Sequence, residues 1–288
     1  MKKNKLAIFC LIALALLLPK VFHFATAGFS FKKVYYQETF DPSLQASPPT
    51  DGILAILNQP FHYLGQGRQV FAFESADRKY VLKLVRFHLY RVPFGMKLLS
   101  FFYAPTYLSE RRKHYQRFFA SYKMAFEELG DLTQVVFVHL NPTTAVMPQL
   151  QVYDRLQRPV VIDLDKTAFL LQRRGVSLES LRGADLKAAI DAFFQAVLEY
   201  KDRKVKHRDL PNLIRNAGWY QGRYMEIDVG SYEKEKEVDD AFFWYRELNH
   251  VNRVFLRFLE KKEPALIGYF LQKRKALEER LLEIGAEK

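Results

Sequence analysis

The chain has 288 residues, 49% of them hydrophobic, enough to bury a sizeable core in one two-lobed domain or two small ones, and this excludes a disordered or fibrous protein. Its formal charge is +12, and the single cysteine, Cys10, rules out an intramolecular disulfide or a cysteine-rich metal site. Residues 1–27 hold four lysines and no acid, so the remainder carries +8, a balance that suits anionic partners without choosing among them. No nucleic-acid module signature is present, and no nucleic-acid partner is expected.

Met1-Lys2-Lys3-Asn4-Lys5 precedes thirteen uninterrupted apolar residues, Leu6 to Leu18, the layout of an export signal or a membrane anchor. Pro19 and Lys20 interrupt the run, and Ala25-Thr26-Ala27 offers a small-residue cleavage site. The expectation for residues 1–27 is a hydrophobic helix acting as signal peptide or anchor, cleaved or retained, which makes the protein membrane-associated on a side the sequence leaves open. Lysines before the run favour a cytoplasmic N-terminus and a translocated body. Residues 28–60 read as a connector, because Pro42, Pro48, Pro49 and Gly52 break any long element.

From Phe61 the pattern becomes regular. Short alternating runs predict strands over 62–64, 70–74 and 80–85, a meander with glycines at its first corner. Residues 86–106 mix Arg86, Arg91 and Lys97 with many aromatics, which suits covered packing or a membrane or partner contact. A helix follows over 108–129, with Tyr115, Phe118, Phe119, Tyr122, Phe126 and Leu129 on one face. Strands are predicted over 135–140, 150–153, 160–164 and 168–172. Leu186, Ile190, Phe193, Phe194, Val197 and Leu198 then recur at helical spacing, and the tail from Val238 to about Ile284 is helical, divided at Pro264. Strands first and helices last, without βαβ alternation, argue for an α+β fold.

Three segments carry candidate chemistry. Leu64-Gly65-Gln66-Gly67-Arg68-Gln69-Val70 is a glycine-bearing turn between strands, where missing side chains let backbone N–H groups approach phosphate oxygens. Lys83 interrupts the apolar strand Val81-Leu82-Lys83-Leu84, so it either points to solvent or meets an anion. His207-Arg208-Asp209-Leu210 follows a helix and precedes Asn212-Leu213-Ile214, a turn around Gly218 to Gly222, and Glu226-Ile227-Asp228-Val229-Gly230. The single histidines His62, His88, His114, His139 and His250 show no metal-ligand spacing.

In this order the segments resemble the protein-kinase-like superfamily, from Leu64 to Gly230. The resemblance implies a two-lobed fold with a strand-rich N-lobe of about 61–172 and a reduced helical C-lobe of about 173–288. It implies ATP and Mg2+ as cofactors, with Gly65, Gly67 and Lys83 at the phosphates, Asp209 as catalytic base, and Asn212 and Asp228 on the metal. His207 and Arg208 brace the catalytic loop. Glu127 is the helix glutamate chosen to pair with Lys83, and Gln172 stands where the adenine-contacting hinge belongs.

The departures are specific. The third glycine of the loop is Val70, and Val229 replaces the usual phenylalanine. The asparagine lies three residues after Asp209 (Asn212) or seven (Asn216), not five; Asn212 is preferred because Leu213-Ile214 reads as the next strand. No Ala-Pro-Glu follows Gly230. Economy of parts resembles the aminoglycoside-phosphotransferase and lipopolysaccharide-sugar-kinase branches, which implies an ATP-dependent phosphotransferase acting on a small-molecule or lipid/sugar acceptor. The alternative is a membrane-tethered or exported pseudokinase serving as a binding scaffold.

Overall fold

The computed structural model describes residues 15, 17–36, 40–90, 105–209, 212–235 and 241–286. Its elements, in chain order, are α1 (Asp51–Leu57), β1 (Phe61–Gln66), β2 (Val70–Ser75), β3 (Tyr80–Val85), α2 (Pro105–Glu127), α3 (Gly130–Thr133), β4 (Val135–His139), β5 (Gln149–Tyr153), β6 (Pro159–Asp163) and β7 (Phe169–Arg173). There follow β8 (Val176–Ser177), α4 (Gly183–Asp202), β9 (Val205–His207), α5 (Leu213–Asn216), β10 (Ala217–Tyr220), β11 (Arg223–Glu226), β12 (Tyr232–Lys234), α6 (Ala241–Lys262) and α7 (Ile267–Ala286). This is a mixed α+β fold with one large sheet. The chain divides into a unit of residues 1–102 and 139–171 and a unit of residues 103–138 and 172–288.

In the first unit the strands follow the order β7-β3-β2-β1-β5-β6. The meander pairs antiparallel as the alternation requires, with Ala72 opposite Lys83 and a bulge between Tyr63 and Gly65. Every second residue of β2 and β5 is buried, which puts Phe71, Phe73, Leu150 and Val152 on the core face. Phe29 closes that face, its ring 5.2 Å from Phe71 and 5.1 Å from Phe73. The stretch read as a connector holds short ordered pieces: Thr50 caps α1, its hydroxyl accepting from the Ile53 N–H at 3.4 Å, and Val34, Leu44 and Leu57 are buried. His139 is satisfied locally, its ring nitrogens 2.9 Å from the Thr167 carbonyl and 3.0 Å from the Thr143 hydroxyl.

In the second unit the predicted apolar face of α4 is buried, Leu186, Ile190, Phe193 and Val197 among it. It meets the two tail helices, where Phe255 stacks on Phe270 at 4.7 Å and Phe194 lies 5.3 Å from Phe270. Pro264 divides the tail as expected, opening a short 3-10 turn between α6 and α7. On α2, Phe118, Phe119, Tyr122 and Ala125 are buried at helical spacing.

Three expectations need correction. The first is the membrane-associated leader: among the described residues no helix is long and apolar enough to cross a membrane. Residues 17–25 are helical. That helix carries Pro19 and Lys20, and its rings meet cations of the β5–β6 connection, Arg158 lying 4.9 Å from Phe22 and Arg155 5.8 Å from Phe24. The earlier part of the apolar run and most of the 86–106 insertion, residues 91–104, lie outside the described residues. The second is Leu213-Ile214, which opens the helical turn α5 and not a strand. The third is Gly218, which lies within β10, so that the turn closes at Gln221-Gly222, both with positive φ.

Candidate functional site

The glycine turn belongs to the first unit. Its Gly67 N–H donates to the Val70 carbonyl at 3.0 Å, and Arg86 donates from its guanidinium to the Gly67 carbonyl at 3.1 Å. The Gly67 amide is therefore already committed inside the turn. An added Cβ at Gly65 meets nothing within 4 Å, so this corner is open on the side where a side chain would stand. Lys83 lies in β3 and is only 7% exposed. That burial removes the reading in which it points to solvent; an ammonium so placed is stable only with polar or anionic company.

The remaining candidates sit in the second unit, and most are gathered by two pairings. Strand β9 runs antiparallel to β12, placing His207 opposite Tyr232 and Lys206 opposite Glu233. Arg208 continues the association, its N–H donating to the Ser231 carbonyl at 3.0 Å and its guanidinium pairing with Glu233 at 2.5 Å. The His-Arg-Asp segment is thus zipped to the residues that follow Asp228-Val229-Gly230. His207 is buried, with its ring centroid 4.9 Å from that of Tyr232.

Asp209 is half-exposed, and both of its carboxylate oxygens are occupied. The Asn212 side-chain amide donates to Oδ1 at 2.6 Å and the Asn216 amide donates to Oδ2 at 2.6 Å. The helical turn α5 explains this: residues four apart stand about 6 Å apart along a helix, whereas a strand would separate them by about 13 Å. The backbone carbonyl of Asn216 accepts from the Ile227 N–H at 2.5 Å, and Ala217 pairs with Glu226. Asp228 follows directly; it is exposed, and its Oδ1 accepts from the Gly230 N–H at 3.2 Å.

Helix α2 fixes this segment through a residue the sequence reading missed. The buried Ser121 hydroxyl donates to the Val229 carbonyl at 2.6 Å and accepts from the Tyr232 N–H at 2.7 Å. A signal was present, since Ser121 stands at core spacing between Phe118 and Tyr122, where a hydroxyl is stable only with partners. Gly230 packs so closely on the same helix that a Cβ there lies 2.9 Å from the Phe118 ring.

Under this segment lies a buried polar cluster that sequence reasoning also missed. Glu226 is fully buried and accepts hydrogen bonds from the Tyr200 hydroxyl at 3.1 Å and from the Tyr224 hydroxyl. Burial pushes its carboxyl above the ordinary range, opposed by the nearby His207 and the two phenols. Burial and the Glu226 charge hold Tyr200, Tyr224 and Tyr232 well above the usual phenol range. In sequence Glu226 is one more residue of an apolar strand, and nothing in its spacing marks it.

Gln172 and Glu127 also belong to the second unit. Gln172 is buried, and its amide nitrogen donates to the Thr133 carbonyl at 2.5 Å and the Glu226 carbonyl at 2.6 Å, so both hydrogens serve the interior. Glu127 is exposed at the end of α2, with Lys123 at 4.0 Å.

Could these groups hold a divalent cation? Among the described residues no three His, Cys, Asp or Glu side chains converge as a ligand set. Mg2+ needs only one or two protein oxygens, with phosphates and waters completing its octahedron. The Asn212 amide oxygen and Asp228 Oδ2 are hard oxygen donors of that kind, the Asn212 nitrogen and Asp228 Oδ1 being engaged elsewhere.

No family model matches the chain, and no curated protein matches it. Among solved structures, one described as "WaaP in complex with acyl carrier protein" is similar over 83% of this chain and 98% of that chain, at 13% identity and a TM-score of 0.30. A likeness that faint carries no weight for the chemistry, which rests on this chain's own residues.

Proposed function

We propose that the protein is a kinase-like phosphotransferase that moves the γ-phosphoryl group of ATP to a hydroxyl of a small-molecule or lipid/sugar acceptor. The observation that carries this reading is Asp209: a carboxylate held by two asparagine amides, on a loop zipped by β9 and β12 to the segment of Asp228. In the transfer, the acceptor oxygen forms the new O–P bond, the bond to the β,γ-bridging oxygen breaks, ADP leaves, and the hydroxyl proton goes to Asp209. Arg208 and Ser121 position the loop and take no part in bond making.

Asn212 and Asp228 would hold Mg2+, which when bound neutralises charge on the transferring phosphates. Lys83 takes the phosphate-holding role, in keeping with a lysine buried in a strand. With the Gln172 side chain engaged internally, an adenine contact in this stretch falls to the backbone.

The test is thermal unfolding of the full chain with and without Mg-ATP, alongside Lys83→Ala and Asp228→Ala. A ligand that binds the native state at 100 times its Kd stabilises it by about 2.7 kcal/mol, so wild type shifts upward in Tm and both variants lose most of the shift. No shift in wild type sinks the reading. A shift without ATP turnover across sugar, lipid and amino-alcohol acceptors points instead to a nucleotide-binding scaffold.

A further inference from the structure

We infer that Asn216, seven residues after Asp209, is the positioning residue of the catalytic loop, locking the Asp209 carboxylate and tying it to the strand that leads to Asp228. The inference rests on the phosphotransferase reading for its consequence in catalysis, but its geometry stands without it. Asn216 is held on both sides. Its side-chain amide grips Asp209 Oδ2 at 2.6 Å, while its carbonyl accepts the Ile227 N–H at 2.5 Å, one residue before Asp228. It ends α5 and abuts β10, whose next residue pairs with Glu226 in β11. One residue thus joins the loop of the base to the strand of the metal ligand.

Asn212 makes the same kind of side-chain bond under different conditions. It is exposed, and its backbone N–H donates to the carbonyl of Asp209, three residues back in the same loop. Its amide has no comparable tether to the β10–β11 hairpin. The two asparagines therefore have separate roles, in which Asn216 holds the carboxylate and Asn212 is the amide able to leave it for a cation. Such a division accounts for two asparagines at three and seven positions after Asp209, where a single one would serve a metal.

The test has two arms. In the ligand-free full chain, labelled with 15N, the Asn216 side-chain amide pair exchanges slowly with solvent, and Asp209→Ala or Asp209→Asn moves its resonances. Unmoved Asn216 signals in both variants overturn the inference, whatever the enzyme does. In the second arm Asn216→Ala lowers kcat on the order of 100-fold, the scale of a misplaced reacting group, with KM for ATP little changed. Asn216→Asp, which sets a carboxylate against Asp209, lowers kcat further. Equal kcat for wild type, Asn216→Ala and Asn216→Asp overturns the inference. Asn212→Ala instead raises the Mg2+ concentration needed for half-maximal rate. If no variant or wild type turns over ATP, the phosphotransferase reading fails and the resonance arm decides the clamp alone.

Discussion

The glycines of the β1–β2 turn and those around β8, β10 and α2 do different work. At Gly65 a Cβ meets open space and at Gly67 only a Val70 methyl at 3.5 Å. In the second unit a Cβ lands 2.8 Å from the Trp219 carbonyl at Gly175, 3.0 Å from the Val176 carbonyl at Gly218, and 2.9 Å from the Phe118 ring at Gly230. Around β8, β10 and α2, backbone approaches backbone or ring so closely that only hydrogen fits. The glycines of the β1–β2 turn are not required by the packing around them, so any demand for glycine there comes from what approaches from outside.

The largest expected effect is at Gly175, because a Cβ there meets both the Met225 sulfur, which can shift, and the Trp219 carbonyl, main chain that cannot rotate away. Gly175→Ala separates β8 from β10 and costs about 3 kcal/mol, the upper end of overpacking penalties. Chemical denaturation with an unchanged m-value measures it, and a loss near zero would show that β8 yields easily. Gly230→Ala follows at about 1–2 kcal/mol, since the Phe118 ring can tilt a little among Phe119 and Tyr122. Here turnover falls more than stability does, because the Gly230 N–H that Asp228 Oδ1 accepts moves with the residue. Parallel loss of both quantities would mean that the glycine serves packing alone.

The same crowded hairpin buries Glu226, which gives the comparison a dependence on pH. The carboxyl is raised above its unfolded value, chiefly by burial. As pH rises past the unfolded value, the unfolded chain releases its proton first, so native stability declines until the buried group also ionises. Glu226→Gln keeps an acceptor for Tyr200 and Tyr224 and has no proton to lose. Its Tm advantage over wild type therefore grows with pH above the ordinary glutamate range, and a constant difference from acid to neutral pH would refute the assignment. The effect is smaller than the glycine effects, because the phenols and His207 offset part of the burial.

Periodicity made most of the architecture legible. The strands of the meander, the apolar faces of α2 and α4 and the break at Pro264 all follow from which residues recur at two or at three and four positions. Short segments were harder, because Leu213-Ile214 is too brief to show a period and its β-branched isoleucine favours a strand that tertiary contacts override. Motif order marked Asp209, Asn212 and Asp228, yet not the residues that hold them. Ser121 acts through its position on a helix face and Glu226 through neighbours distant in sequence, while Asn216, which the sequence offered only as the alternative to Asn212, is seen to reach Asp209 once α5 is known to be helical.

The smallest effect on stability is expected at the β1–β2 corner, and it is the one that bears most directly on function. Neither Gly65 nor Gly67 has the positive φ that disfavours a side chain, and neither lacks room for a methyl. Alanine at such a site restricts the unfolded chain, so Gly65→Ala and Gly67→Ala leave Tm unchanged or raise it by the equivalent of about 0.4–1 kcal/mol. Packing would then place no constraint on either residue. Phosphates approaching the backbone would, since a methyl over the turn blocks the close contact that glycine permits. The expected signature is thus a split: Tm without ligand holds, and the upward shift caused by Mg-ATP shrinks in Gly65→Ala most of all, because the space above it is open while the Gly67 amide is engaged with Val70. A full ligand shift in both variants would detach the glycine turn from nucleotide binding and leave any such activity to Lys83 and to the loop around Asp209.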